Sequence, residues 1–412
     1  MKNLFRKIEW RINAIRHRDP LSPSTFRRLF GTLRPRAWDP ARTPKRVVVL
    51  RSDEIGDTVT TLKLLAAMRA AWPSAKLHLV VKPGPATIFH ATPTIDRLIS
   101  WRPINDGSAL KRQLLTARQG IRRFGLRGYD LAVVPRWDFD DTPIRYLAVA
   151  SRARSVVGFA PVPEREPDWL GDQTQLFTDV IPRGSTPMLS VQQLGRVAAQ
   201  LGIAWVEHPR PAVGAGLFDR EDLTRAGDLA RLPADPGLVV GIGIGARNAK
   251  RQWPVAAIAE TLGELAASQP VAVQILGSGV DRARAGELSE LLRARGIFSV
   301  DLAGAFRLSE SAAAISRCDL FLGNDSGLQH IASSLDIPTL VVTCHPATGS
   351  PWSDNAPERF GPWSSRGLVI QPAHPIGDCV DECVADEAHC IREVRVADAM
   401  TAIRELLRES AS

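Results

Sequence analysis

A chain of 412 residues with 44% hydrophobic and 23% charged side chains has the composition of a globular protein, with length for two domains and two cores. No apolar run approaches a membrane span, and five cysteines, three of them clustered near the carboxyl end, exclude a secreted disulfide framework. The formal net charge of +8 is concentrated in Met1–Arg46, where thirteen Lys or Arg face three acids, so the remaining chain is slightly acidic and carries no nucleic-acid-binding surplus.

Residues 1–45 form a basic arm. Leu4, Phe5, Ile8, Ile12 and Ile15 share one side of a predicted helix over residues 1–18, with Arg and Lys on the others. Such a helix suits either an anionic membrane surface or packing on a protein body. Acids and polar residues interrupt any signal-peptide core, so a cytoplasmic protein is expected, with this arm as its route to the inner face of the membrane. Residues 19–44, rich in Pro, Arg and Ser, read as a linker or wrapping arm.

From Arg46 strands alternate with helices. Val47–Leu50 is a predicted strand, Thr58–Ala71 a helix, Leu77–Val81 a strand, Asp96–Ser100 a short strand, Ala109–Phe124 a helix and Asp130–Pro135 a strand. An acidic, aromatic loop, Arg136–Asp141, follows; Tyr146–Ala150 reads as helix, Ser155–Phe159 as strand and Val191–Leu201 as helix. Prolines and glycine in Glu207–Leu217 mark a boundary, after which the rhythm restarts with strand Gly237–Gly243. The predicted organisation is an arm (1–45), a first domain (46–206), a second (207–395) and a final helix (396–412) packing back on the first domain. Each domain is a doubly wound α/β half, and a cleft lies between them.

Three stretches carry candidate chemistry. Arg51-Ser52-Asp53-Glu54-Ile55-Gly56-Asp57 joins the first strand to its helix, where an α/β domain builds a site. Asp57 is there either a helix N-cap or a general base, and Asp53 and Glu54 are the other acids of the turn. Ile244–Pro254 follows the second domain's first strand with small residues and the cations Arg247, Lys250 and Arg251, a composition that suits a diphosphate or an ordinary solvated loop. Asn324-Asp325-Ser326-Gly327-Leu328-Gln329-His330 opens a helix after a further strand. Asp325 and Ser326 are either plain N-cap residues or part of a helix N-terminus offered to an anion. His330 falls opposite the stripe of Leu328, Ile331, Ala332 and Leu335, which argues against a core histidine. Asp281, after strand Val271–Leu276, is either an N-cap or a ribose ligand. Cys379, Cys383 and Cys390 are spaced C-x3-C-x6-C, matching no standard zinc pair. Reduced structural thiols are expected unless a fourth ligand joins them, and no metal is assigned.

Together these stretches resemble glycosyltransferase family 9, the ADP-heptose:lipopolysaccharide heptosyltransferases. Arg51-x-Asp53-x-Ile55-Gly56-Asp57 with Trp72-Pro73 resembles the amino-terminal motif, Gly323-Asn324-Asp325-Ser326-Gly327 with His330 the carboxyl-terminal one, and Lys250/Arg251 with Trp253-Pro254 the Lys-x-Trp-Pro stretch. The resemblance implies a GT-B fold of two Rossmann-like domains and a metal-independent inverting transfer of a heptose, or similar sugar, from an ADP-sugar. It implies no cofactor beyond that donor and a lipopolysaccharide-core or other envelope glycan or glycolipid acceptor. Asp57 would be the base. Arg51, Asp53 and Gly56 would shape the acceptor side, Lys250 or Arg251 would meet the diphosphate, and Asp325, Ser326 and Gly327 would hold sugar and phosphate. Gln252 separates Arg251 from Trp253, so an ungapped match favours Arg251. Another nucleotide-sugar, a protein acceptor or a non-catalytic binding role are the alternatives; a nicotinamide dehydrogenase is disfavoured by the missing G-x-G-x-x-G.

Overall fold

The computed structural model describes residues 21–411 apart from 105, 126, 138–141, 161–171, 207–211, 381–382 and 386. The predicted amphipathic helix of residues 1–18 and most of the acidic loop after Arg136 and Trp137 lie outside the described residues.

Two six-stranded parallel sheets organise the chain. The first comprises β1 (Arg46–Leu50), β2 (Lys76–Val81), β3 (Arg97–Ser100), β4 (Leu131–Val134), β5 (Ser155–Phe159) and β6 (Asp179–Ile181). The second comprises β7 (Leu238–Gly243), β8 (Val271–Leu276), β9 (Phe298–Asp301), β10 (Leu320–Asn324), β11 (Thr339–Val342) and β12 (Gly367–Ile370). Their orders are β3-β2-β1-β4-β5-β6 and β12-β11-β10-β7-β8-β9, the same doubly wound order read from opposite ends. Central strands such as β1, β4, β8 and β10 are continuous Val/Leu/Ile-rich runs because helices cover both faces. In such a sheet the strand order reverses between two central strands, here β1/β4 and β7/β10, and the crevice beyond their carboxyl ends is the ligand site.

The predicted α/β rhythm is present in both halves, with differences at the margins. The first long helix begins at Ile55 rather than Thr58, with Glu54 as N-cap, so Asp57 lies inside the first turn. Residues 23–30 of the supposed linker form a helix that packs Phe26 against Tyr146. The β6 and β12 edge strands, three and four residues long, are not among the elements expected from the sequence. The Arg220–Ala230 helix is also not among the expected elements; it buries Asp222, Ala226 and Ala230, and Leu223 packs on the same core. The final helix, Val396–Ala411, does not return to the first domain: Ala399, Met400, Ile403 and Leu406 join the core of the second.

The two halves meet through helix N-termini. A Cβ on Gly56 would lie 2.4 Å from His330 Cδ2, and one on Gly327 would lie 3.0 Å from Ile55 Cβ. One hydrophobic cluster runs from Val47 and Leu64 of the first half to Phe321 and Ile331 of the second. Lys63, on the Ile55–Ala71 helix, lies over Trp205 and over Trp363 of the second half, at 4.9 and 5.5 Å from the ring centroids. Trp137 and Trp352 stack at 5.8 Å across the same junction. His330 lies at this junction: it is buried although it stands off the apolar stripe of its own helix, and it still lines the cleft between the halves. The face of the Gly327–Ser334 helix away from its own apolar stripe is covered by the first domain, so His330 is buried.

Gly56→Ala is therefore expected to lower stability to urea by about 1–3 kcal/mol, the usual cost of overpacking. The penalty should shrink in a His330→Ala background, which a double-mutant cycle measures. Burial also pulls the His330 pKa from 6.5 down to about 4. Between those values the unfolded chain binds more protons than the folded one, so stability rises with pH through this window. The His330 contribution should be complete above pH 6.5 and lost as pH falls toward 4. Unfolding of wild type and His330→Gln compared over that range should show the steeper acid loss in wild type.

Candidate active site

The carboxyl ends of β1, β4, β7 and β10 open onto one cleft of about 1400 Å³ between the halves. Both switch points thus face the same space, within the size range of small-molecule sites or somewhat larger.

On the first domain's wall, Arg51 is buried and ties the turn after β1 to the loop after β4. It donates to the Pro135 carbonyl after β4, ion-pairs with Asp53, and reaches Asp57 Oδ1 at 3.2 Å. Arg136 contacts Asp53 from the other side. Asp53 is thus clamped between two guanidinium groups. Glu54 pairs with Lys82 at 3.0 Å, at the rim, with an exposed side chain. Asp57 also accepts from Ser190 Oγ at 3.3 Å, and its side chain lines the cleft. Among the three acids of the turn, it is the one whose setting suits a base.

The second domain's wall carries Arg247, Arg251 and Arg359 beside Asp281, Asp325 and Asp354. Asn324, buried at the end of β10, fixes the loop after β7: its Nδ2 donates to the Ile244 carbonyl at 3.1 Å and its Oδ1 accepts from Trp253 N–H at 2.8 Å. Trp253 is buried, and its indole donates to the Val394 carbonyl at 3.2 Å. The loop so held points Arg251 at Asp325, with which it ion-pairs, and brings Arg247 to the cleft. Arg251 rather than Lys250 is therefore the cation at the helix: Lys250 Nζ donates to the Cys383 carbonyl and does not line the cleft. Ser326 occupies the N-cap of the Gly327–Ser334 helix, but its hydroxyl makes no cap bond. Ser326 Oγ and Arg251 Nε are both buried with no hydrogen-bond partner among the described residues. Two orphaned donors at a helix N-terminus are what an anion would satisfy.

Asp281 lies on the cleft floor beside Gly245, where a Cβ would come within 2.7 Å of its carboxylate. Its Oδ2 accepts from Ser278 N–H and Oγ at 2.8 and 2.7 Å, so a local turn bond is what the structure displays. Arg136, Arg359, Lys82 and Ser190 also line the cleft and were not singled out from the sequence. They stand outside the glycine-bearing turns, and only the switch-point topology marks Arg136. Asn324 sat within a recognised motif, and its buried amide could have been read as a loop clamp.

Residues 205–383 match the family model described as Glycosyltransferase family 9 (heptosyltransferase). The chain is 27% identical over 304 residues to lipopolysaccharide heptosyltransferase 1 of Pseudomonas aeruginosa, covering 72% of this chain and 77% of that protein. It is 22% identical over 335 residues to lipopolysaccharide heptosyltransferase 2 of Salmonella typhimurium, covering 79% and 88%. Among solved structures, a glycosyl transferase family 9 protein from Veillonella parvula has a TM-score of 0.67 at 19% identity, covering 89% of this chain and 98% of its own. E. coli heptosyltransferase WaaC with ADP gives 0.60 at 18%, covering 88% and 99%. Those structures share the two-sheet GT-B fold. With its motifs on both walls of one cleft, the chain is related to glycosyltransferase family 9, whose model its residues 205–383 match.

Proposed function

We propose that this protein transfers a heptose, or a similar sugar, from an ADP-sugar to a lipopolysaccharide-core or other cell-envelope glycan acceptor, with inversion and without a catalytic metal. The observation that carries this reading is the opposition of Asp57 on one wall to the orphaned Arg251 Nε and Ser326 Oγ on the other. The donor's diphosphate lies against Arg251, Arg247, Ser326 Oγ and the Gly327 N–H. Asp57, oriented by Arg51 and Ser190, accepts the proton of the acceptor hydroxyl. The acceptor oxygen forms a bond to the anomeric carbon as the bond to the β-phosphate oxygen breaks. The nucleoside diphosphate departs with the electron pair, and its charge is met by the guanidinium groups and helix N–H groups. A single displacement from the face opposite the leaving group inverts the anomeric centre. The similarity to lipopolysaccharide heptosyltransferases 1 and 2 supports the choice of donor and acceptor class. The basic arm of residues 1–18 then brings the enzyme to the anionic inner face of the membrane, where a lipid-linked acceptor is held.

Turnover is followed as nucleoside diphosphate release from an ADP-heptose donor with a lipopolysaccharide-core acceptor. Asp57→Asn should lower kcat by about 10²–10⁴-fold with donor KM little changed, the usual size of a general-base effect. Arg251→Ala should instead both raise donor KM and lower kcat, by about 10²–10³-fold in kcat/KM, as expected of a lost leaving-group contact. An Asp57→Asn enzyme with wild-type kcat would remove the base assignment, and an Arg251→Ala enzyme with wild-type kcat/KM would remove the diphosphate assignment.

A further inference from the structure

One cluster of reactive side chains stands apart from the cleft and has no role in the proposed transfer. Cys379, Cys383, His389 and Cys390 lie in the irregular segment between β12 and the final helix. Their four ligand-type atoms all fall within 4.8 Å of one another. Cys379 Sγ is 3.9 Å from Cys383 Sγ and 3.8 Å from His389 Nδ1, and Cys390 Sγ is 3.5 Å from the same nitrogen. All three cysteines are buried and none is in a disulfide.

A tetrahedral metal with sulfur at about 2.3 Å and nitrogen at about 2.0–2.1 Å has S···S edges of about 3.8 Å and S···N edges of about 3.5 Å. The observed separations fall close to those edges. His389 is the fourth ligand that the cysteine spacing lacked in the sequence. We propose that Cys379, Cys383, His389 and Cys390 form a tetrahedral site for a thiolate-binding divalent metal, zinc by its ligand set.

Four protein ligands close the coordination shell and leave no position for substrate, so the site is structural. Binding releases the three thiol protons to solvent and leaves a centre of net charge −1. The Val384 N–H, 3.4 Å from Cys379 Sγ, supports a thiolate there. The metal would tie together four residues of an irregular segment. Through the Lys250 hydrogen bond to the Cys383 carbonyl it would also brace the loop that carries Arg251. This explains why Lys250, beside the diphosphate-facing cation, turns away from the cleft. The proposal does not depend on the donor or the acceptor.

The test is metal analysis of the full-length, tag-free protein produced in zinc-supplemented medium and purified without chelator. About one equivalent of zinc per chain is expected from a closed four-ligand site. Cys318→Ala, in the sheet core, should retain it, and Cys379→Ser/Cys390→Ser should lose it. In case that double variant fails to fold, wild-type protein stripped with a chelator is titrated with Co²⁺. Intense tetrahedral d–d bands with sulfur-to-metal charge transfer are expected. Metal-free wild type that gives no such bands with Co²⁺, or zinc retained by the double variant, would overturn the site.

Discussion

The geometry of this enzyme depends on how closely two helix N-termini approach each other. Gly56 leaves room for His330, and Gly327 leaves room for Ile55. A side chain at either glycine would push the halves apart. Because both glycines sit in the first turn of a helix that follows a switch-point strand, the contact that joins the domains also sets the distance between their ligand sites. The buried, neutral imidazole of His330 and the cation–π contacts of Lys63 reinforce the same junction.

Within that frame, each wall pairs guanidinium groups with carboxylates. On the first wall Arg51 and Arg136 satisfy Asp53 and leave Asp57 in a different setting, reached by one guanidinium group and one hydroxyl. On the second wall Arg251 is shared between Asp325 and the space beyond, with Ser326 Oγ beside it. Buried guanidinium groups and hydroxyls without partners are costly in a folded protein. Arg251 Nε and Ser326 Oγ are two such atoms side by side at a helix N-terminus, and they are the physical basis of the proposed diphosphate placement. Asn324 makes the arrangement rigid, because its amide bonds both ends of the loop that delivers Arg251.

Much of this was legible in the sequence because the informative residues sit in short turns with local signatures. The β1 and β7 strands read as apolar runs, and the acids and cations after them stood out against glycine. What stayed hidden was non-local. The burial of His330 depends on a face covered by a helix some 270 positions away in the chain. The division of roles between Lys250 and Arg251 is decided by the Cys383 carbonyl and the Asp325 carboxylate, neither adjacent in sequence. The sequence leaves Asp57 as either an N-cap or a base; with Glu54 as the N-cap, its carboxylate turns to Arg51.

The division of labour between the two walls is tested most directly by amide hydrogen exchange with and without ADP. Binding on the second wall should slow exchange most in peptides covering residues 244–254 and 325–331, with a smaller effect at 51–57. Protection confined to the β1 turn and Arg136, with the second wall unchanged, would contradict the placement of the nucleotide and with it the role assigned to Asp57.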